Sequence, residues 1–183
     1  MDRRQRKSRE AIFRAFTQLL TEKSLHHITV GEIIDRADVG RATFYAHFET
    51  KDYLLKALCE ELFCHLFDAM EDRHEHRHIF ECEVTGSAVE HLCYHLQNND
   101  HQLLQLLTGQ NREVFLPYFH AGISNLVSKQ LHAFEKPAHL PEDLWLDHIS
   151  GTLIRILLWW IDHGWKQTPQ EISDWFSQTV NIG

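Results

Sequence analysis

The spacing of apolar residues constrains this chain most, because it repeats at three- and four-residue intervals over long stretches that contain no proline. All four prolines lie at or after Pro117, so none interrupts a helix in the first two thirds of the chain. In the first such stretch the apolar residues share one helical face; they are Ile12, Phe13, Phe16, Leu19 and Leu20. The pattern predicts an all-α fold of about nine helices.

Two short helical segments follow the first helix and are separated by a tight turn. Thr29 and Glu32 have the spacing of a capping box, in which the hydroxyl and the carboxylate each bond a backbone amide at the helix start. The segment ends at Asp38–Gly40, and a second one begins at Arg41. This arrangement is typical of a helix-turn-helix, whose second helix presents side chains to base edges in the major groove. We therefore expect a DNA-binding head at residues 1–51 and a helical body at residues 52–183.

The distribution of charge supports that division. Residues 1–51 carry a formal charge of +3 and the remainder carries −11, which together give the net charge of −8. A basic end on an acidic body is typical of a protein that presents one face to DNA. The sequence shows no signal peptide and no apolar run long enough to span a membrane, so it predicts a cytoplasmic protein with no membrane partner.

The sequence contains no pattern typical of a catalytic site. It has no GxSxG or HExxH motif and no glycine-rich phosphate loop, and we expect neither an enzyme nor a bound cofactor. Cys59, Cys64, Cys82 and Cys93 have no CxxC spacing, which favours buried, reduced thiols.

Histidines offer the one candidate for a metal. His74, His76 and His78 precede Cys82, and His91 and His95 are spaced to share a helical face. A solvated polar linker explains the first group equally well, because alternating residues converge only on a strand. A metal-responsive regulator stays an alternative, and no residue is assigned to a metal site.

The sequence of the second and third predicted helices is specific enough to indicate a protein family. TVGEIIDRADVGRATFYAHFETKDYLL, residues 29–55, resembles the N-terminal domain of the tetracycline-repressor (TetR) family, and the resemblance covers about residues 8–60. It implies that Thr29 and Lys51 hold DNA phosphates at helix N-termini. It also implies that the major groove is met by Arg41, Ala42, Thr43, Tyr45 and His47, while Phe44 and Phe48 belong to the core. Asp38 departs from the family by replacing the usual turn glycine, and aspartate tolerates the left-handed backbone required there.

The resemblance also implies a mode of action: a repressor that binds a palindromic operator and responds to a small-molecule inducer. Residues 148–176 are similar to a TetR subgroup that includes the dihydroxyacetone-kinase operon activator, some members of which act by binding another regulator. A coactivator acting through a protein partner is therefore a second alternative. The inducer pocket implied for the body would be lined by Phe63, Leu96, Phe115, Phe119, Arg155 and Trp159, each of which could also be plain core.

The last two helices predict a subunit interface. All five tryptophans lie there, which is more aromatic surface than one helical hairpin is expected to cover. We expect a homodimer formed by pairing these helices through Trp145, Leu153, Leu157, Trp160, Trp175 and Phe176.

Overall fold

The computed structural model describes residues 3–70, 87–99, 106–130 and 134–180. The helices bounded within these ranges are α1 (Arg3–Glu22), α2 (Val30–Ala37), α3 (Arg41–His47), α4 (Lys51–Met70), α5 (Ala88–Tyr94), α6 (Arg112–Lys129), α7 (Glu142–Asp162) and α8 (Pro169–Val180). A 3-10 turn (Leu25–His27) links α1 to α2, and a π turn (His95–Asn99) extends α5. No strand occurs in the described ranges, and the all-α prediction is confirmed.

Leu106–Thr108 is helical, and residues 100–105 before it lie outside the described ranges. None of the described helices is long and apolar enough to cross a bilayer.

The head is built from α1, α2 and α3. Thr29 caps α2 as predicted: its hydroxyl accepts from the Glu32 amide at 3.2 Å, and the Glu32 carboxylate accepts from the Thr29 amide at 2.9 Å. Asp38 ends α2 with φ +52°, the left-handed conformation expected of it. Phe44 and Phe48 are buried, and Phe48 meets Phe13 of α1 edge-to-face with 5.2 Å between ring centroids. These contacts fix α3 against α1.

Ion pairs hold α2 on α1. The Arg36 guanidinium donates two parallel hydrogen bonds to the Glu22 carboxylate, at 2.5 and 3.0 Å, and these bonds lower the pKa of Glu22. Lys23 pairs with Glu32. The hydrogen bond from Lys23, followed by those within the capping box, lowers the pKa of Glu32 to about 2.

The body packs α4 against α6, α6 against α7, α7 against α8, and α5 against α8. The turn between α7 and α8 uses two left-handed residues, Gly164 at φ +78° and Trp165 at φ +59°. The Trp160 indole donates across this turn to the Gln167 carbonyl at 3.1 Å. Thr168 and Glu171 have the spacing that predicts a capping box in the sequence, and the capping box they form starts α8. Buried side chains of the head and body form one continuous core.

The structure corrects one helix. The sequence predicts a helix from Arg112 to Phe134 that Pro117 kinks or delays, but α6 begins at Arg112, contains Pro117 and ends at Lys129.

Candidate nucleic-acid interface

The exposed face of α3 carries the side chains that the sequence assigns to the major groove. Arg41 and Ala42 are exposed, Tyr45 is 49% exposed, and Thr43 and His47 are half-buried at the edge of this face. The buried Phe44 and Phe48 occupy the opposite face. These two buried rings anchor α3 to the core, and a short surface of mixed polarity faces outward.

The start of α1 lies beside this surface. A groove of about 640 Å³ runs between the two helices, lined by Arg4, Gln5 and Ser8 on one side and by Ala42, Thr43 and His47 on the other. Because α1 is helical from Arg3 onward, its basic residues have fixed positions relative to α3. The start of α1 and the exposed face of α3 therefore form one surface.

Arg9 is a residue of this region that sequence reasoning missed. It forms an ion pair with Glu61 of α4, and its guanidinium lies 4.7 Å from the Phe13 ring centroid and 5.9 Å from that of Phe48. Burial lowers the pKa of His47, and the nearby Arg9 cation lowers it further. Only the fold brings α1, α3 and α4 together, so no local sequence signal identifies Arg9.

Thr29 and Lys51 lie at helix N-termini, as expected for phosphate ligands, but both are engaged within the chain. The Thr29 hydroxyl belongs to the capping box of α2. The Lys51 ammonium donates to the carbonyl oxygens of Leu25 at 2.7 Å, Ile28 at 3.0 Å and His26 at 3.3 Å. Lys51 thus ties the first turn of α4 to the 3-10 turn of the head, and its phosphate contact stays a prediction.

Asn111 makes a second connection from the body to the same turn. Its carbonyl oxygen accepts from the Leu25 amide at 2.7 Å, and its amide donates to the carbonyls of Leu20 at 2.9 Å and Lys23 at 3.2 Å. The side chain is buried. The sequence offers one local signal, an asparagine just before a helix, but this signal indicates a helix cap. Instead the Asn111 side chain makes no capping bond to α6 and holds the head.

The residues predicted for the dimer interface are placed differently from expectation. Trp145, Leu153, Leu157, Trp160 and Phe176 are buried within the single chain, so other helices of the chain cover them and their burial requires no second subunit. Helices α5 and α6 supply the cover, since they pack on α8 and α7 respectively. Trp175 remains 39% exposed.

The residues predicted for an inducer pocket fall into two groups in the part of the chain that the structure describes, and the pocket stays a prediction. Phe63, Leu96, Phe115 and Phe119 are buried, and Phe119 packs on the other two aromatic rings with centroid distances of 5.7 and 5.8 Å. Arg155 and Trp159 lie on the outer surface of α7, where they line a groove of about 820 Å³ with Trp175. Arg155 is exposed, and its aliphatic stem lets it lie beside apolar neighbours while its charge stays in water.

The histidine and cysteine predictions have mixed outcomes. His91 and His95 are buried, with 3.2 Å between their Nε2 atoms, but within the described ranges no three metal-binding side chains converge. Residues 74–78 and Cys82 lie outside those ranges. Cys59 and Cys93 are buried, which raises the pKa of both thiols, whereas Cys64 is exposed, contrary to the expectation of buried thiols.

Comparison with known proteins agrees with this architecture. Residues 12–58 match the family model of the bacterial regulatory proteins of the tetR family, and residues 85–182 match a transcriptional regulator C-terminal region. The helix-turn-helix transcriptional regulator YxbF of Bacillus subtilis is 28% identical over the whole chain, which spans 47% of that protein. The chain therefore spans about half the length of this curated relative.

Solved structures show the same fold. A TetR transcriptional regulator from Streptococcus agalactiae is 31% identical, with a TM-score of 0.72 over 98% of this chain and 97% of that one. The regulator FadR from Bacillus subtilis, solved in complex with stearoyl-CoA, shares the fold at 20% identity and a TM-score of 0.60, over 94% and 97% of the two chains. With matches at the head and over more than half its length, the chain belongs to the TetR family of bacterial transcriptional regulators.

Proposed function

We propose that this protein is a cytoplasmic, sequence-specific DNA-binding regulator that acts as a homodimer on a two-fold symmetric operator. The exposed face of α3 carries this proposal, since its backbone is fixed from behind by Phe44 and Phe48. In this account Arg41, Thr43 and Tyr45 contact base edges, and Ala42 lets the helix approach the groove closely.

The basic start of α1 supplies the electrostatic part of binding. Arg4 lines the groove beside α3, and Arg3, Arg6 and Lys7 lie on the same first two turns of α1. These cations can approach phosphates whatever the base sequence. Thr29 and Lys51 flank the same surface at the N-termini of α2 and α4, positions at which backbone amides favour anions.

Dimerisation is proposed through the outer faces of α7 and α8. Trp159 is 41% exposed and Trp175 is 39% exposed, with 5.9 Å between their ring centroids, and His163 stacks on Trp159 at 4.3 Å. Exposed aromatic clusters of this kind are typical of the centre of a protein–protein interface. A two-fold pairing across this face would cover the cluster and set the distance between two copies of α3.

A small-molecule response is proposed from the fold. FadR, which shares this fold, was solved in complex with stearoyl-CoA, so a protein of this fold can bind a small molecule. We propose that ligand binding relieves repression. The head favours a regulator that binds DNA directly over a coactivator that works only through a protein partner, because α3 keeps an outward face with no packing role.

Fluorescence anisotropy with a selected DNA duplex tests the proposal. The logarithm of the binding constant should fall linearly with the logarithm of salt concentration, with a slope of about 0.9 for each phosphate neutralised. Arg41→Ala should weaken binding to the selected duplex by about 1–3 kcal/mol if its base contact is bidentate. Lys136→Ala is the matched control, because it removes an exposed cation from the loop after α6, at the opposite end of that helix from Asn111, and should leave affinity unchanged. Equal losses from the two variants would contradict the proposal.

A further inference from the structure

The outer groove of α7 and α8 carries charged residues as well as aromatic ones. It has a volume of about 820 Å³, and Arg155 and Asp162 of α7 line it together with the exposed Trp159. Both charged side chains are exposed, and Arg112 of α6, which also lines the groove, is half-buried. None of the ion pairs formed among the described residues includes Arg155 or Asp162. The face proposed for dimerisation thus presents a cation and an anion of α7 that the described part of the chain leaves unmatched.

The spacing of these two charges makes the face complementary to itself. Seven residues of an α-helix complete almost two turns, so Arg155 and Asp162 lie on the same face of α7, roughly 10 Å apart along its axis. When two copies of a helix pack antiparallel about a two-fold axis, each residue meets the residue that lies equally far beyond the axis on the other copy. An axis between Leu158 and Trp159 therefore brings each Arg155 to Asp162 of the partner subunit.

Like charges disfavour the other ways of pairing this face. An antiparallel pairing centred on Arg155 would lay Trp159 over Gly151 of the partner subunit, where the surface is open because a Cβ would meet no atom within 4 Å. That register places two Arg155 guanidinium groups against each other, and a parallel pairing of the two helices does the same. Like charges brought together at an interface oppose association. The charges therefore select one register among several that the aromatic cluster alone would allow.

We propose that Arg155 and Asp162 form reciprocal ion pairs across the two-fold axis of the dimer, which fix the register of the subunits and restrict pairing to copies of this chain. This inference rests on the proposed dimer and goes beyond it by naming the residues that choose the partner. A shift of one helical turn would displace one subunit along the other by about 5.4 Å and alter the spacing of the two copies of α3. A regulator with a different charge pattern on this face would leave charges unpaired or meet like charges, which disfavours mixed dimers.

Charge reversal tests the ion pairs on the full chain without DNA. Arg155→Asp leaves two acidic residues on each face and Asp162→Arg leaves two basic ones, so each variant alone should dimerise about a hundredfold more weakly than the wild type, roughly tenfold for each of the two equivalent contacts. Sedimentation equilibrium measures the dissociation constants. The loss should shrink at high salt, which screens repulsion between charges. Asp147→Arg is the matched control, because it reverses an exposed charge of α7 that does not line the groove, and should dimerise like the wild type.

Combining the two changes separates the effect of charge from an effect on folding. The double variant Arg155→Asp/Asp162→Arg again places a carboxylate opposite each guanidinium and should dimerise about as tightly as the wild type. An equimolar mixture of the two single variants should form heterodimers in preference to either homodimer, and native mass spectrometry distinguishes these species because the variants differ in mass. A double variant that is folded by circular dichroism yet dimerises as weakly as the single variants would give Asp162 another partner, such as Arg112, and would overturn the proposal.

The same measurements distinguish failure of the ion pairs from failure of the proposed function. A wild-type dimer whose dissociation constant neither single variant changes would overturn the ion pairs and leave the proposed dimer in place. A wild type that is monomeric at micromolar concentration would refute the proposed dimer, and the ion pairs with it. Neither result depends on DNA binding, because no duplex is present.

Discussion

Glu32 takes part both in the capping of α2 and in the packing of α2 on α1. Its carboxylate accepts from the Thr29 amide while it pairs with Lys23 at the end of α1, so α2 is held at its first turn from within and from outside. These hydrogen bonds favour the ionised form and lower the pKa of Glu32 to about 2.

The stability of the head should therefore depend on pH through this residue. The folded-state pKa lies below the unfolded value of 4.5, so the contribution is complete above pH 4.5 and is lost as pH falls towards 2. Melting temperatures measured by circular dichroism should fall less steeply over this range in Glu32→Gln than in the wild type. An exposed control, Glu142→Gln, should follow the wild-type curve. Parallel curves for all three proteins would contradict the role given to Glu32.

At Lys51, one substitution distinguishes a structural role in the head from a role in phosphate binding. If it holds the Leu25–Ile28 turn, Lys51→Ala should lower the free energy of unfolding by about 1–2 kcal/mol, because hydrogen bonds from a charged donor are lost at a half-buried position. If it neutralises a phosphate, the salt slope of operator binding should fall by about 1. We expect the loss of stability; an unchanged melting temperature with the reduced slope would contradict that expectation.

At the scale of elements, a contact could be predicted from the sequence when the interacting residues lie close together along the chain. The capping boxes at Thr29 and Thr168 and the left-handed Asp38 depend on neighbours within four residues, and the structure confirms all three. Asn111 bonds residues more than eighty positions away, and no periodicity encodes that contact. The interface prediction drawn from the tryptophans differs from the structure for a related reason. Helix α7 has buried faces towards both α6 and α8, and an apolar run in a sequence does not distinguish a core from an interface.

The turn between α2 and α3 offers a test of its backbone conformation. Asp38→Gly should leave stability unchanged or raise it slightly, because glycine adopts φ +52° without steric cost. Asp38→Val should lower the free energy of unfolding by about 1–2 kcal/mol, since a β-branched residue is strained there. Chemical denaturation of both variants measures this. Similar stabilities for the glycine and valine variants would show that the turn is not held in the left-handed conformation.

At the scale of the whole molecule, function depends on whether the exposed aromatic cluster of α7 and α8 pairs two copies. Trp175→Glu places a charge in the middle of that cluster without touching the core, and should yield monomers that have lost specific DNA binding. Leu144→Glu alters another exposed apolar residue of α7, 51% exposed and outside the cluster, and should remain dimeric. Sedimentation equilibrium gives both masses. A dimeric Trp175→Glu protein, or a monomeric wild type at micromolar concentration, would refute the proposed interface.

The most direct test of the account is the selection of binding sites from random DNA by the wild type and by Arg41→Ala. The wild type should enrich a two-fold symmetric sequence whose half-sites lie about 10 base pairs apart or at a multiple of that spacing. Arg41→Ala should enrich the same sequence with the base preference relaxed at one position in each half-site, because α3 would have lost a single base contact. An enriched sequence without symmetry, or identical preferences from the two proteins, would contradict the claim that α3 reads the operator.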